Sequence, residues 1–526
     1  MSVSPLASQT PGVYIDEVNA FPNSVVEVAT AIPAFIGYTP RASYEGKSYA
    51  NQAVKITSFN EFKAFFLKPN LPAPAPPASQ YLPEYYLTKQ KKKPDKGFYY
   101  ELNDDIYTIE PDPGTIYYLY NSVRLFYQNG GGTAYIVSVG TYGEPTKAPI
   151  NPGDDITNPN VKLSDLLGGL AVLKQVQDAT MYIAPEATLL PADENGTLME
   201  EMLMQSGDLG TTVSIFDIIG GHEPDPILYT QDIQNFRNST GNNSLKYGTA
   251  YYPFLKTTIT EPGDISYLNL NGGDPSGLAD IINPPAAPNA SAEQILANIK
   301  NPPAGMTPSR LNEALMLASK PYKQIMGVVL DRINTLPPSG AIAGVYTQVD
   351  NTKGVWNAPA NVTPVAVSDL TLHINDSMQA GLNVDAVSGK SVNCIRFFNG
   401  QGVLVWGART LDGNSQDWRY INVRRTVTMI EQSVKLAART YVFAPNDAST
   451  WQSVKSMIEN FLTNIWKEGA LQGAKAEDAF SVAVGLGTTM TAEDILNGNM
   501  RVSVKLAVTH PAEFIIIEVE QEMAKS

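Results

Sequence analysis

With 526 residues, 43% of them apolar and only 17% charged, the chain has material for roughly two to four packed units and is too hydrophobic for wholesale disorder. Asp plus Glu 52 against Lys plus Arg 37 gives a net charge of -15, which disfavours a nucleic-acid-coating role, because phosphate backbones are read by clustered cations. One cysteine, Cys394, excludes an intramolecular disulfide, and three histidines leave little material for zinc sites; both fit folding in a reducing cytosol.

The start of the chain, Met1 to Thr10, has neither the basic nor the hydrophobic segment of a signal peptide, and no run approaches the ~18 apolar residues that span a bilayer. Gly12 to Val18 reads as a strand with no hairpin partner nearby. Ala31 to Tyr38 and Thr133 to Val139 read as buried strands, the second after the turn Asn129-Gly130-Gly131-Gly132. Between them, Pro69 to Pro83 holds six prolines and Lys89 to Lys96 five lysines, which predicts a solvated, outward-facing loop. From Leu163 to Leu330, helices over Leu163 to Gln177 and Leu311 to Lys320 alternate with strands over Met181 to Ala184, Thr212 to Ile218 and Gln324 to Leu330, an α/β signature. The Pro-, Gly- and Asn-dense stretch Glu261 to Pro308 reads as a peripheral loop.

Ser391 to Phe398 and Gly402 to Trp406 form a hairpin about Asn399-Gly400. A first helix then places Val423, Val427, Ile430, Val434 and Tyr441 on one side, with Arg424, Lys435 and Arg439 opposite. In a second, Ser449 and Gln452 match a capping box, and Trp451, Val454, Ile458, Phe461 and Ile465 form an apolar stripe that leaves Lys455, Glu459 and Lys467 on the far side. Strands over Phe480 to Val484, Arg501 to Val508 and Phe514 to Val519 end the chain. Residues 391–470 contain nine Lys plus Arg and six Asp plus Glu, so this segment carries +3 and the rest -18. A basic module in an acidic chain points to an acidic partner at one face; Arg409 and Arg419 read equally well as structural, paired with Asp412 or Asp417. The two terminal strands either pair within their own chain or add to a neighbour's sheet edge.

Several fragments invite a catalytic reading and do not sustain it. Gly130-Gly131-Gly132 lacks a following Gly-Lys-Ser/Thr, and Gly487-Thr488-Thr489-Met490 has threonine where a subtilisin-type nucleophile would stand. None of His222, His373 and His510 lies in a motif that orients an imidazole, and His222 with Glu223 and Asp225 reads as a solvated turn rather than a metal site. No catalytic, cofactor-binding or metal-ligating residue is assigned.

Four segments carry a resemblance: Leu336 to Val362 (LPPSGAIAGVYTQVDNTKGVWNAPANV), Gly402 to Arg425 (GVLVWGARTLDGNSQDWRYINVRR), Val442 to Gly473 with Phe443-Ala444-Pro445-Asn446-Asp447, and Pro511-Ala512-Glu513-Phe514. In order and spacing they resemble the contractile tail sheath family of phage tails, R-type bacteriocins, type VI secretion and extracellular contractile injection particles. Trp406, Gly407, Arg409, Trp418, Arg424, Arg425 and Trp451 carry its motifs; Pro11-Gly12-Val13-Tyr14 and Ala34-Phe35-Ile36-Gly37 also look like sheath openings. Thr509-His510 departs from the pattern.

The resemblance implies an α/β and α+β multidomain chain. An N-terminal arm (1–27) precedes a subtilisin-like α/β sheath domain (28–390) with insertions at about 41–112 and 222–308. A tube-facing α+β domain (391–508) and a C-terminal arm (509–526) follow. It implies a structural protein, not an enzyme, that polymerises with hexameric symmetry around an inner tube. Strands centred on Val13, Tyr14, Ile15 and on Phe514, Ile515, Ile516, Ile517 are exchanged between subunits. A metastable extended sheath then contracts by subunit rotation after a baseplate signal. The implied partners are other copies of the chain, the inner tube, sibling sheath proteins, the baseplate and a terminal cap, with assembly in the cytoplasm and action in a tail or released particle. The tube contact is expected on Ser449 to Lys467, through Lys455, Glu459 and Lys467, with Lys435 and Arg439 as second candidates. The competing readings are a degenerate or secreted α/β hydrolase-like enzyme and, within structural proteins, a tube or baseplate component.

Overall fold

The computed structural model describes residues 25–68, 82–102, 104–285 and 287–516. They divide into two compact units, a large one of residues 29–425 with 511–516 and a small one of residues 25–28 with 426–510.

In the large unit the elements in chain order begin with β1 (Pro33–Thr39), β2 (Ala53–Ile56), α1 (Phe59–Phe66), β3 (Tyr85–Gln90), β4 (Tyr100–Leu102), β5 (Asp105–Pro111), α2 (Leu119–Gln128) and β6 (Ala134–Thr141). They continue with α3 (Leu163–Leu173), β7 (Met181–Ile183), α4 (Ala192–Leu209), β8 (Val213–Asp217), α5 (Tyr229–Ser239) and β9 (Gly248–Tyr252). The last are α6 (Ala290–Lys300), α7 (Pro308–Ala318), α8 (Lys320–Ile333), α9 (Ser339–Lys353), β10 (Asn393–Phe398) and β11 (Gly402–Val405). Eight strands form one sheet in the order β11-β10-β9-β8-β7-β1-β6-β2, parallel except at β11 and β2. Every residue of β1, β7, β8 and β9 is buried, which is why they read as unbroken apolar runs: a parallel strand under helices has no solvent face to alternate with. Helices α2 and α9 meet backbone to backbone. A Cβ on Gly340 would lie 2.4 Å from the Ser122 carbonyl oxygen, and one on Gly344 2.5 Å from Asn129, so the glycines of Ser339-Gly340-Ala341-Ile342-Ala343-Gly344 set how closely the helices approach.

A second core within this unit joins the sheet β3-β5-β4 to α6, α7 and α8 through Ile109, Leu296, Leu311, Leu315, Tyr322 and Val329. Three expectations change here. Gln324 to Leu330 is helical, because Tyr322, Ile325, Met326, Val329 and Ile333 bury one face at helical spacing. Glu261 to Pro308 contributes α6 and buried Leu278, Ile281, Leu296 and Ile299 rather than a peripheral loop alone. The lysine-rich stretch starts inside β3, whose Tyr85 is buried; Lys89 and Lys93 reach outward to Asp105 at 2.5 Å and Glu101 at 3.2 Å. Pro69 to Tyr81 lies outside the described residues, as does Gly12 to Val18 with Val13, Tyr14 and Ile15.

The division at 391 read from the sequence also moves. Hairpin β10–β11 continues the large sheet, with Tyr251 opposite Asn393 and Tyr252 opposite Cys394, so the small unit begins at Thr426, inside helix α10 (Ile421–Ala438). It continues with α11 (Ala448–Lys467), β12 (Phe480–Val484) and β13 (Val502–Leu506). Helix α11 is capped by Asp447, whose side chain accepts the Thr450 N–H at 3.0 Å, two residues before the expected Ser449 cap. Its buried face is Val454, Met457, Ile458, Phe461, Leu462 and Ile465, which packs on β12. Strands β12 and β13 pair antiparallel from Phe480 with Leu506 to Val484 with Val502, and among the described residues their sheet has two strands. Phe514 to Ile516 form no strand, and Ile517 onward lies outside the described residues.

Candidate functional site: the roots of the terminal arms

The C-terminal arm is held at its root by one carboxylate. Arg409, 4% exposed on its side chain, donates from Nε to Glu513 Oε1 at 3.0 Å and from Nη2 to Oε2 at 2.6 Å. Tyr420 Oη donates to Oε2 at 2.9 Å and Asn383 Nδ2 to Oε1 at 2.9 Å. Four donors on a half-buried carboxylate make its charged form the favoured one, and they hold Glu513 below the usual glutamate range against the opposing effect of burial. Arg409 is itself aligned by Asn393, which accepts its N–H at 2.7 Å and donates to its carbonyl at 2.8 Å. The neighbouring Gly407 permits that approach, since a Cβ there would lie 2.7 Å from Asn393 Oδ1. Neither Arg409 nor Arg419 makes the expected pair with Asp412 or Asp417; Arg419 Nε donates to the Ser415 carbonyl. The three residues after Glu513 emerge into solvent, Phe514 72%, Ile515 79% and Ile516 86% exposed.

The large unit holds the N-terminal side in the same way. Arg425 and Asp350 form a buried bidentate pair at 2.9 and 2.5 Å. Arg425 Nη2 also donates to the Thr30 carbonyl, and the Thr30 hydroxyl donates to Asp350 Oδ2 at 2.6 Å. The adjacent Arg424 is buried rather than solvent-facing, its guanidinium 4.4 Å from the Trp418 ring and 5.0 Å from that of Tyr247. Trp406 stands half-exposed at the end of β11, its backbone N–H donated to the Cys394 carbonyl and its ring against Phe398. The segment Asn361-Val362 bonds to Val405, so three of the four motif segments converge in the large unit. The third lies in the small unit, where Trp451 Nε1 donates to Asn446 Oδ1 at 2.7 Å and Phe443, fully exposed, holds φ at 70°.

The residues expected to face a tube lie in the small unit. Lys467, Lys435 and Arg439 are exposed. Lys455 and Glu459 are half-buried beside the core face and close on each other at 3.7 Å, so the far side of α11 is formed by Gln452, Ser453, Asn460, Asn464 and Lys467.

The fragments weighed for chemistry have structural roles. Gly130, at φ 92°, turns the chain out of α2. Gly487 to Met490 is a turn closed by the Gly487 N–H on the Met490 carbonyl. His373 pairs with Asp369 at 2.6 Å on the surface, and His510 contacts the Val508 carbonyl. At the carboxyl ends of the parallel strands, Asp217 accepts the Ser339 N–H at 2.8 Å and the Ser339 hydroxyl, and Glu186 Oε1 accepts the Tyr118 and Leu119 N–H groups at 3.2 and 2.8 Å. Both carboxyls cap helix N-termini in full burial, which leaves Ser339 inaccessible as a nucleophile.

Glu513, Asp350, Asn383 and Tyr420 are the site residues that sequence reasoning did not single out. Glu513 stood inside the quoted Pro511 to Phe514 segment, so that motif was the available signal.

The family model for the phage tail sheath C-terminal domain matches residues 414–522. The tail sheath protein of Vibrio phage KVP40 is 29% identical over 150 residues, covering 28% of this chain and 22% of that relative, so the chain matches about a fifth of the relative's length. The helical sheath of the anti-feeding prophage in its contracted state shares the fold over 98% of this chain and 100% of its own, with a TM-score of 0.57 and 27% identity. The sheath complex of the extracellular contractile injection system PVC, also contracted, shares the fold at a TM-score of 0.55 and 24% identity over 98% of each chain. Residues 414–522 thus match the phage tail sheath C-terminal domain, and the chain shares its fold along its length with a contractile sheath subunit.

Proposed function

We propose that this protein is the sheath subunit of a contractile injection particle and that it polymerises by donating its terminal strands to neighbouring copies. The observation that carries the reading is the contrast across Glu513: a carboxylate fixed by four donors, followed at once by three exposed apolar residues with high strand propensity. An exposed Phe-Ile-Ile is an aggregation hazard in a monomer and a sheet-completing element in a polymer. The sheet β12–β13 has two strands among the described residues and is at least partly exposed at every position but Val482, which is the form of an acceptor.

Because such a contact is head to tail and does not close on itself, it propagates into a helical array around an inner tube. Arms that stay bonded while bulky faces repack allow contraction by rigid-body rotation, with the extended state kinetically trapped until a baseplate releases it. The large unit then serves as a non-enzymatic, subtilisin-like scaffold, and the basic residues Lys435, Arg439 and Lys467 of the small unit are the tube-facing surface; sibling sheath proteins and a terminal cap complete the particle. Truncation after Pro511 tests the reading. It should leave a folded, soluble subunit that forms no tubes by negative-stain microscopy, and contraction-competent tubes from the truncated chain would refute strand donation at this end.

A further inference from the structure

One buried guanidinium in the large unit serves two carboxyls from different parts of the chain. Arg332, at the end of α8, donates from Nη1 to Glu110 Oε2 at 2.8 Å and from Nη2 to Glu110 Oε1 at 3.4 Å. Its Nη2 also lies 3.5 Å from Glu223 Oε2. Glu110 belongs to β5, the middle strand of the sheet β3-β5-β4, whereas Glu223 stands on the loop after β8 of the main sheet. The Phe98 backbone, just before β4, bonds to the Glu223 carboxyl as well. The cluster therefore ties the second core to a loop of the main core.

Its charges balance only while one of the two carboxyls holds a proton. From β3 and β4, Tyr85 and Tyr100 face Arg332 and stay protonated in burial. On α8 itself Asp331 pairs with Lys256 at 3.0 Å, and on the loop burial, with Arg332, keeps the His222 imidazole neutral. That leaves Glu110 and Glu223 against Arg332. Burial raises both carboxyls, Glu110 to about 7. Once both are ionised, a net negative charge sits among three side chains no more than 16% exposed.

The two carboxyls are not equally able to escape. Glu110, 2% exposed, lies on a strand paired on both sides. Glu223 borders a cavity of about 130 Å³ together with Phe98, Tyr100 and Arg332, and the loop beyond it, Asp225 to Leu228, is exposed. The repulsion is relieved by moving the loop.

We propose that Glu110, Arg332 and Glu223 form a proton-controlled latch: with one proton between the two carboxyls it holds the loop after β8 on the sheet β3-β5-β4, and loss of that proton releases the loop. Carboxyls raised in the closed form stabilise it at low pH, and this stabilisation is lost as pH rises from the ordinary glutamate range through about 7.

The test is hydrogen exchange of the purified full-length subunit at pH 5.5 and 8.5, read by mass spectrometry and corrected for the intrinsic pH dependence of exchange. In the parent, peptides covering residues 218–228 and 96–102 should lose about tenfold more protection at pH 8.5 than β1 and β7 do. Glu110→Gln and Glu223→Gln each leave one ionisable carboxyl for one guanidinium, so each should abolish that difference. Glu223 lies at the edge of the cavity, and its variant serves if Glu110→Gln does not fold. Glu186→Gln, which alters a buried carboxyl outside the cluster, should retain the difference. Equal loss of protection in loop and core, or no loss in the parent, would overturn the proposal. So would a difference that persists in either folded latch variant, or one that Glu186→Gln also removes.

Discussion

The strands of the two units differ in how completely they are used. In the large unit β1 is paired on both sides, to β6 and β7, and buried at all seven positions. In the small unit β12 has one partner among the described residues and a single buried residue, Val482, of five. The first arrangement satisfies its backbone within the chain; the second, among the described residues, leaves a row of donors and acceptors for another strand. On the sheath reading proposed above, the saturated core keeps its shape while the unsaturated sheet makes the connection.

The largest expected effect on folding lies where the saturated unit is tightest. Gly340→Val places a branched side chain against the Ser122 backbone, where even a Cβ would sit at 2.4 Å, so α9 must move away from α2. A loss of roughly 3 kcal/mol or more is expected, read as a large fall in melting temperature or as insoluble expression. A subunit that melts as the parent does would show that this core is looser than described.

Next comes the root of the arm. Arg409→Met removes the charge that satisfies Glu513 and should cost roughly 2–3 kcal/mol, because a half-buried carboxylate is left with only neutral donors. The variant should also assemble poorly, since Phe514 to Ile516 would leave the subunit from an unfixed point. Glu513→Gln keeps the shape and should fall between variant and parent in chemical denaturation. If it is as damaging as Arg409→Met, charge is not what holds the root.

How much of this was legible varied with the range of the interaction. Strands β1, β6, β7 and β8 were readable because burial on both faces leaves an apolar run in the sequence itself. Gln324 to Leu330 was misread for a related reason: Ile325, Met326, Val328, Val329 and Leu330 make a short apolar run, and only its packing on the second core shows the helical period. The Asp447 cap was missed for Ser449 because both residues suit an N-cap and both precede the same stripe. Glu513 was readable only as part of a motif, since its partner is 104 residues away and nothing local marks a glutamate as an anchor.

A smaller effect separates the units by pH. Burial pushes Glu186 up to about 8 and Asp217, Glu110 and Asp232, all in the large unit, up to about 7. Between about pH 4.5 and 8 the folded chain keeps protons that the unfolded chain has released, so these groups make stability fall as pH rises through that window. Each contributes at most about 1.4 kcal/mol per pH unit. Glu186→Gln mimics the protonated form and keeps an oxygen for the Tyr118 and Leu119 N–H groups. Its melting temperature should match the parent at pH 5 and exceed it at pH 8.5, and parallel curves would show that Glu186 does not titrate in this window.

The smallest effect on folding falls on the exposed cations of the small unit, and it is there that folding and assembly should part most cleanly. Lys467 is exposed at the end of α11, and Lys435 and Arg439 are exposed near the end of α10. Removing such charges changes stability by no more than about 0.5 kcal/mol. Lys455 differs, since its charge is already closed on Glu459 at 3.7 Å, and it should contribute less to any outside partner. On the proposed sheath reading, a contact that holds an acidic tube in the extended state and releases it on contraction is better made by screened surface charge than by a broad apolar patch. Lys435→Glu with Lys467→Glu should therefore leave the melting curve unchanged, reduce the yield of sheathed tubes at low salt, and make the remaining assembly less weakened by added salt in the range where the Debye length falls below about 10 Å. Lys455→Glu alone should do less. Normal sheathing of wild-type tubes by the double variant at low and moderate salt would place the tube contact elsewhere, and an equal defect from Lys455→Glu would mean that the pair with Glu459 opens on assembly.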